Sequence, residues 1–328
     1  MIARRTLLLG GLAAGVGLGL AACSGPAPAP STPGVTKVTV GLTYIPNVQF
    51  SPFYVAVEQG LFEGIEVTLR HHGEQEDVFG AVLKGEEDVV FASADEAMVA
   101  AAGGKTLKSF ATAYQTYPLE VMGIGETDLP ENPLRVIEGK RLGIPGHFGS
   151  SYYAALVAIH QAGLTEADLT LQDIGYTQLS ALASGNVDFI MGFRNNELVQ
   201  LKGQGKPVTT VPVVDAAAPQ LVGPSLITAG GPSDDVLRAI AEGMRKAEEA
   251  IIADPEIALE ATAAQVPALS DPKQREAAAA VLEATSELWL VDGTVSVAVD
   301  QAAFGRMGEF LASAGIIDAA PEQPFVAL

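Results

Sequence analysis

Between Val38 and Val214, short runs rich in β-branched residues alternate with stretches of helical periodicity, and this alternation constrains the fold more than any other feature. The runs are VTVGL (38–42), EVTLR (66–70), DVVFA (88–92), RLGIP (141–145), TLQDI (170–174), DFIMG (188–192) and VTTVPVV (208–214). Each gap leaves room for one crossover helix, so the pattern predicts an α/β fold with mainly parallel sheets flanked by helices. Helix starts are marked chemically: Ser51-Pro52, Asp254-Pro255 and Asp271-Pro272 each pair a capping side chain with a proline suited to the first turn. Beyond Gly231 the apolar spacing is helical throughout, and no strand is expected there.

Two Gly- and Pro-rich breaks, GIGETDLPENPLR (123–135) and VDAAAPQLVGPSL (214–226), enclose a self-contained β/α block. The reading is one lobe inserted into another. Residues 37–125 plus 226–328 make the first lobe, with the helical C-terminal segment packed on it, and residues 126–225 make the second. Two chain crossings form a hinge, and the cleft between the lobes is where a ligand belongs. With 328 residues and 48% hydrophobic content, the chain can fill two cores.

The N-terminus reads as an address. Arg4 and Arg5 precede the apolar run TLLLGGLAAGVGLGLAA, which is short for a spanning helix and typical of a cleaved signal peptide covering residues 1–22. Leu20-Ala21-Ala22-Cys23 resembles the bacterial lipoprotein box, which implies that Cys23 is lipidated and anchors the protein on the outer face of the cytoplasmic membrane. The Arg pair also resembles part of a twin-arginine export signal. Residues 23–36 hold the anchor cysteine and a Pro/Ala/Ser tether without periodicity. Cys23 is the sole cysteine, so the exported part uses neither disulfides nor thiolate metal sites. His71 and His72 are neighbours on a predicted strand and point to opposite faces, while His147 and His160 stand alone, so no metal is expected. A net charge of −20 excludes nucleic acid as the main partner.

The segment GLTYIPNVQFSPFYVAVEQGLFE (41–63) resembles an ABC-importer solute-binding family whose members take thiamine pyrimidine precursors, riboflavin-like compounds, nitrate, sulfonates or taurine. Tyr44, Pro46, Asn47, Tyr54, Val55, Ala56, Gly60, Leu61 and Phe62 fall on its pattern, and the similarity continues through 84–115, 138–164 and 181–201. The resemblance implies a two-lobed, periplasmic-binding-protein-like fold of type II, a monomer without cofactor, and a permease and ATPase as partners. It departs from the thiamine-precursor members at Thr43-Tyr44, where an acidic residue and Trp are usual, and at Gln49-Phe50, where His is common. The Cys-rich motif of the related pyrimidine synthase is absent, and there is no G-x-S-x-G elbow, so an exported enzyme is disfavoured.

Four loops at strand ends carry the candidate contacts. In the first, Tyr44, Phe50 and Phe53 are candidates to stack on a flat ring, with Asn47 and Gln49 as hydrogen-bonding groups. The second offers Ser93 and Asp95, either of which can equally serve as a helix cap. The third, PGHFGSSYY, offers Gly149, Ser150 and Ser151; it lacks the lysine of a nucleotide-binding loop. The fourth holds Arg194, Asn196 and Glu197. The resemblance places at Glu197 an acid that reads ligand N–H groups, while Arg194 either pairs with it or receives an anionic group. Gln115 is expected on the cleft floor. Aromatics with an acid favour a planar heteroaromatic compound; a sulfonate, taurine or nitrate ligand would want more cations than Arg194 alone.

Overall fold

In the computed structural model, which describes residues 35–73, 76–125, 128–215 and 219–328, the period-two pattern near the start becomes strand β1 (Thr36–Leu42). Its Val38, Val40 and Leu42 point into one core. Cys23, the signal segment and residues 23–34 of the tether lie outside the described residues. After β1 come α1 (Ser51–Glu58), β2 (Ile65–His71), α2 (Gly80–Lys84), β3 (Val89–Ser93), α3 (Ala94–Ala102) and β4 (Lys108–Thr112). The chain continues through β5 (Leu119–Ile124), β6 (Arg141–Ile144), α4 (Gly149–Gln161), β7 (Thr170–Asp173), α5 (Gln178–Ala183), β8 (Phe189–Phe193), α6 (Glu197–Gly203) and β9 (Val208–Pro212). It closes with β10 (Pro224–Thr228), α7 (Asp234–Ala253), α8 (Pro255–Gln265), α9 (Pro272–Ser286), β11 (Leu290–Val291), β12 (Thr294–Val295) and α10 (Gln301–Ser313).

Two five-stranded sheets, β2-β1-β3-β10-β4 and β7-β6-β8-β5-β9, share the compact unit Val35–Leu328. The fold is α/β with mainly parallel sheets, as expected, and each sheet is made mixed by one reversed strand. β1 runs parallel to β2 and β3, whereas β10 is antiparallel to β3 and β4; in the second sheet β5 is antiparallel to β8 and β9. The reason is the crossing itself. β5 and β10 are the strands that enter a sheet directly from the other one, without a crossover helix, and so arrive in the reverse direction.

Because β5 pairs in the second sheet, the first crossing lies between Thr112 and Leu119, ahead of the boundary at residue 125 expected from composition. Likewise the return crossing lies between Pro212 and Pro224. The first sheet is covered on one face by α1, α7, α8 and α9 through Phe53, Leu237, Ile240, Met244, Leu259 and Leu282, with Trp289 just past α9 in the same core, and on the other by α2 and α3. The second packs α4 on one face and α5 with α6 on the other.

Two features of the C-terminal region depart from expectation. Val291-Asp292-Gly293-Thr294 forms a small hairpin, β11–β12, where only helices were expected. Asp292 (φ 51°) and Gly293 (φ 77°) both adopt left-handed backbone, the geometry that an Asp-Gly hairpin turn requires. Helix α10 also reaches beyond the first lobe: its Phe304, Met307 and Leu311 pack in a core that joins Ala94 and Met98 of α3 to α4 and the second sheet. The terminal residues then return to the first sheet, where Phe325 bridges Ser109 and closes the β4 edge. No helix among the described residues is long and apolar enough to cross a membrane.

Candidate functional site

Strand ends from both sheets converge on one cavity, an empty space of about 870 Å³ counted out to its open mouth. Its first wall begins with the loop after β1. The Tyr44 carbonyl accepts from His71 Nδ1 at 2.9 Å, and Tyr54 Oη lies 2.8 Å from His71 Nε2. A carbonyl only accepts, so Nδ1 carries the proton and Nε2 takes the Tyr54 hydroxyl hydrogen. Burial lowers the His71 pKa and keeps the ring neutral, which preserves this chain. The result is a loop pinned with Tyr44 facing the cavity. Phe50 and Phe91 meet edge to face at 5.9 Å and form the wall beside it.

The opposite wall comes from the second sheet. Phe148, Gly149, Ser150 and Ser151 line it at the start of α4, where Gly149 has a φ of 75° that lets the strand turn sharply into the helix. Tyr176, in the loop after β7, sits 4.5 Å from Tyr44 between ring centroids, so the two rings meet across the cleft. Gln178 and Phe193 complete this side.

Two acids face the cavity, one from each sheet. Glu197, the first residue of α6, accepts from the Phe193 N–H at 2.8 Å and from the Asn196 amide at 3.1 Å. Burial nevertheless raises its pKa. Gly192 makes room for it: a Cβ there would sit 2.9 Å from Met122 Sδ and 3.2 Å from Glu197 Cβ. Glu96, in the first turn of α3, lines the same cavity as Gly149 at the start of the second sheet's α4. Burial first, and the neighbouring Asp95 charge second, push its pKa up to about 8, so it is mostly neutral at neutral pH. Tyr114 is buried in the cavity lining, and burial pushes its pKa up. Among the described lining residues there is no Lys, Arg or His, and no group of three or more potential metal ligands occurs among the described residues.

Of the residues singled out from sequence, Tyr44, Gln49, Phe50, Ser93, Gly149, Ser150, Ser151, Asn196 and Glu197 line this cavity. Five others do not. Phe53 is 1% exposed and packs behind Phe91 at 5.1 Å, because its position on α1 faces the sheet. Asn47 caps the short turn 48–50 by accepting from the Gln49 N–H. Asp95 is fully buried and accepts from Tyr117 Oη at 2.7 Å, with burial pushing its pKa up to about 6. Gln115 donates to the carbonyls of Thr112 and Ser296 and ties the crossing to the β11–β12 hairpin. Arg194 turns away from Glu197 and donates to Thr116 Oγ1 at 2.8 Å.

Sequence reasoning passed over Phe91, Glu96, Phe148, Tyr176 and Gln178 as contacts. Glu96 had a usable signal: Asp95 and Glu96 are adjacent in a first helical turn, about 100° apart, so only one of them can face the cleft squarely.

Residues 47–258 match the NMT1/THI5-like family. The riboflavin-binding protein RibY of Chloroflexus aurantiacus is 36% identical over 66% of this chain and 64% of its own length, so the chain spans just under two thirds of that relative. A 4-amino-5-hydroxymethyl-2-methylpyrimidine phosphate synthase of Uromyces fabae is 27% identical over 53% of this chain and 52% of the synthase. Among solved structures, the alkanesulfonate-binding protein SsuA of Xanthomonas axonopodis pv. citri, bound to MOPS, superposes with a TM-score of 0.66 at 13% identity. That likeness covers 89% of this chain and 99% of SsuA, and it establishes a shared periplasmic-binding-protein fold.

Proposed function

Since the chain belongs to the NMT1/THI5-like family, we propose that it is an extracytoplasmic solute-binding lipoprotein that captures a riboflavin-like planar heteroaromatic compound in the interlobe cleft and delivers it to an ABC permease. The observation that carries this reading is the make-up of the cavity. Tyr44 and Tyr176 meet across its mouth, Phe50, Phe91 and Phe148 supply further apolar surface, and Glu96 with Glu197 supplies hydrogen bonding without any cationic side chain. Flat rings gain from offset or edge contacts with such walls, and ring N–H groups find an acceptor in Glu197. RibY, the riboflavin-binding relative, supports the same ligand class.

The delivery step follows from the topology. Two crossings allow the lobes to open and close, and contacts that bridge them only when closed convert ligand binding into a shape a permease can read. Such contacts include Tyr44 with Tyr176 and the 2.9 Å bond from Asn195 Nδ2 to Thr285 Oγ1. Lipidation at Cys23, after export that uses Arg4 and Arg5, would hold the protein beside that permease as a monomer.

A sulfonate or nitrate ligand is the second reading, since SsuA shares the fold and holds MOPS. It is disfavoured by the absence of a cation among the described lining residues. Turnover is disfavoured as well: no side-chain nucleophile beside a general base is seen among the described lining residues. The test is fluorescence titration of the purified protein with riboflavin, accompanied by mass spectrometry of whatever copurifies. Saturable quenching supports the assignment; saturation by alkanesulfonates or nitrate alone refutes it.

A further inference from the structure

Building on the heterocycle-binding reading, we propose that Glu96 sets the charge class of the ligand: its carboxyl occupies the N-terminus of α4, where an anionic ligand group would otherwise sit, so the cleft admits an uncharged ring compound and excludes its phosphate ester.

A helix N-terminus facing a cavity is an anion site in waiting, because its first N–H groups have no intrahelical partners. In this protein α4 presents Gly149, Ser150 and Ser151 to the cavity. Glu96, on α3 packed against α4, is buried and lines the same space beside these residues, so the protein's own carboxyl stands where an anion would be drawn. Glu197 faces the same space from α6, and Lys, Arg and His are absent from the described lining. A phosphate entering here would lose its hydration, meet two carboxyls and gain no countercharge.

The groups around Glu96 decide its protonation. Asp95 adjoins it on α3, Asp77 approaches from the loop before α2, and Tyr117 and Tyr153 face it from the start of β5 and from α4. None of these is a cation, and desolvation is the largest influence on its pKa of about 8. At neutral pH Glu96 is therefore mostly protonated and has an O–H to present to the ligand. Asn and Gln side chains could mimic this arrangement; a small apolar residue could not.

The test uses the full chain in detergent micelles and four probes, riboflavin and 4-amino-5-hydroxymethyl-2-methylpyrimidine, each beside its phosphate ester, with an alkanesulfonate as a fifth. Whichever parent compound binds, its ester is expected to bind at least about 100-fold more weakly. In Glu96→Ala the gap should narrow at least about tenfold, while Glu96→Gln keeps it. Between pH 6.5 and 9 the wild type should lose about tenfold in affinity as Glu96 ionises, and Glu96→Gln should stay flat, a comparison that stands even if Glu96→Ala does not fold. Parent and ester binding equally well to the wild type overturns the inference and leaves the heterocycle assignment intact. Binding of the pyrimidine pair alone, with the ester excluded, removes riboflavin and keeps the inference. Binding of the sulfonate alone, or of nothing, removes both.

Discussion

Replacing Glu248 by Met should stabilise the protein, because Glu248 sits on the apolar face of α7 with Met244, Ala247 and Ile251 and is 0% exposed. Neither carboxyl oxygen has a hydrogen-bond partner among the described residues. Burial raises its pKa well above the ordinary value, so the native protein holds the proton. A buried carboxylic acid without partners costs about 1–3 kcal/mol, and an unbranched thioether of similar volume fills the space without that penalty. We expect a gain of about 2 kcal/mol, or about 4 °C in Tm. The pH dependence has a definite sign. Between the ordinary carboxyl pKa and the raised native one, the unfolded chain releases a proton that the folded chain keeps, so this residue makes the wild type lose stability as pH rises. Denaturant unfolding at pH 5 and pH 8 should therefore show the advantage of Glu248→Met growing with pH. Parallel curves, or a less stable variant, would show that Glu248 has found a compensating partner and that the account of α7 is wrong.

Glu87 is the opposite case, a buried acid with good partners: Arg70 Nε at 2.7 Å and His72 Nε2 at 3.0 Å. Its removal in Glu87→Ala should cost about 3 kcal/mol in urea unfolding, since Arg70 and His72 lose their shared acceptor. Trp289→Ala empties a site that is 1% exposed in the first core and should cost about 3–5 kcal/mol by the same measurement. Tyr176→Ala removes the ring 4.5 Å from Tyr44 and should weaken riboflavin binding by about 1 kcal/mol, roughly fivefold in a quenching titration, with little change in Tm. Asn195→Ala deletes the bond to Thr285 and should also weaken binding, by about 1 kcal/mol, by disfavouring the closed arrangement.

The seven strands read from periodicity all exist, because each is a half-buried or fully buried run bounded by turn residues. Besides the β11–β12 hairpin, the strands that escaped, β4, β5 and β10, lie next to the crossings, where Pro118 and Pro224 make the sequence read as loop. Pro224 is the first residue of β10, a position that needs no ladder N–H, so a proline is compatible with a strand buried between β3 and β4. The reversed direction of β5 and β10 is a property of the crossing and leaves no local trace in composition. Within the cleft, Tyr44 and Glu197 were legible because each follows a strand in a patterned loop. Tyr176 and Phe148 were not, since a lone aromatic in a short connection looks the same whether it faces solvent or a partner lobe.

The same geometry explains why fold alone misleads about the ligand. This chain and SsuA superpose over most of their length, yet the fold only guarantees that strand ends and helix N-termini meet in a cleft. Whether that cleft attracts an anion depends on what occupies the N-terminus of α4. Here, on the inference above, it is Glu96, three residues along from Ser93 at the end of a buried strand, which lines the cavity beside Gly149. A single residue can thus turn an anion-seeking frame into one suited to a neutral ring, without altering any strand, crossing or core contact that makes the frame recognisable. The acid must stay protonated for this to work, which ties the choice of ligand to the absence of any cation near Glu96: an arginine placed there would restore its charge and with it a different specificity.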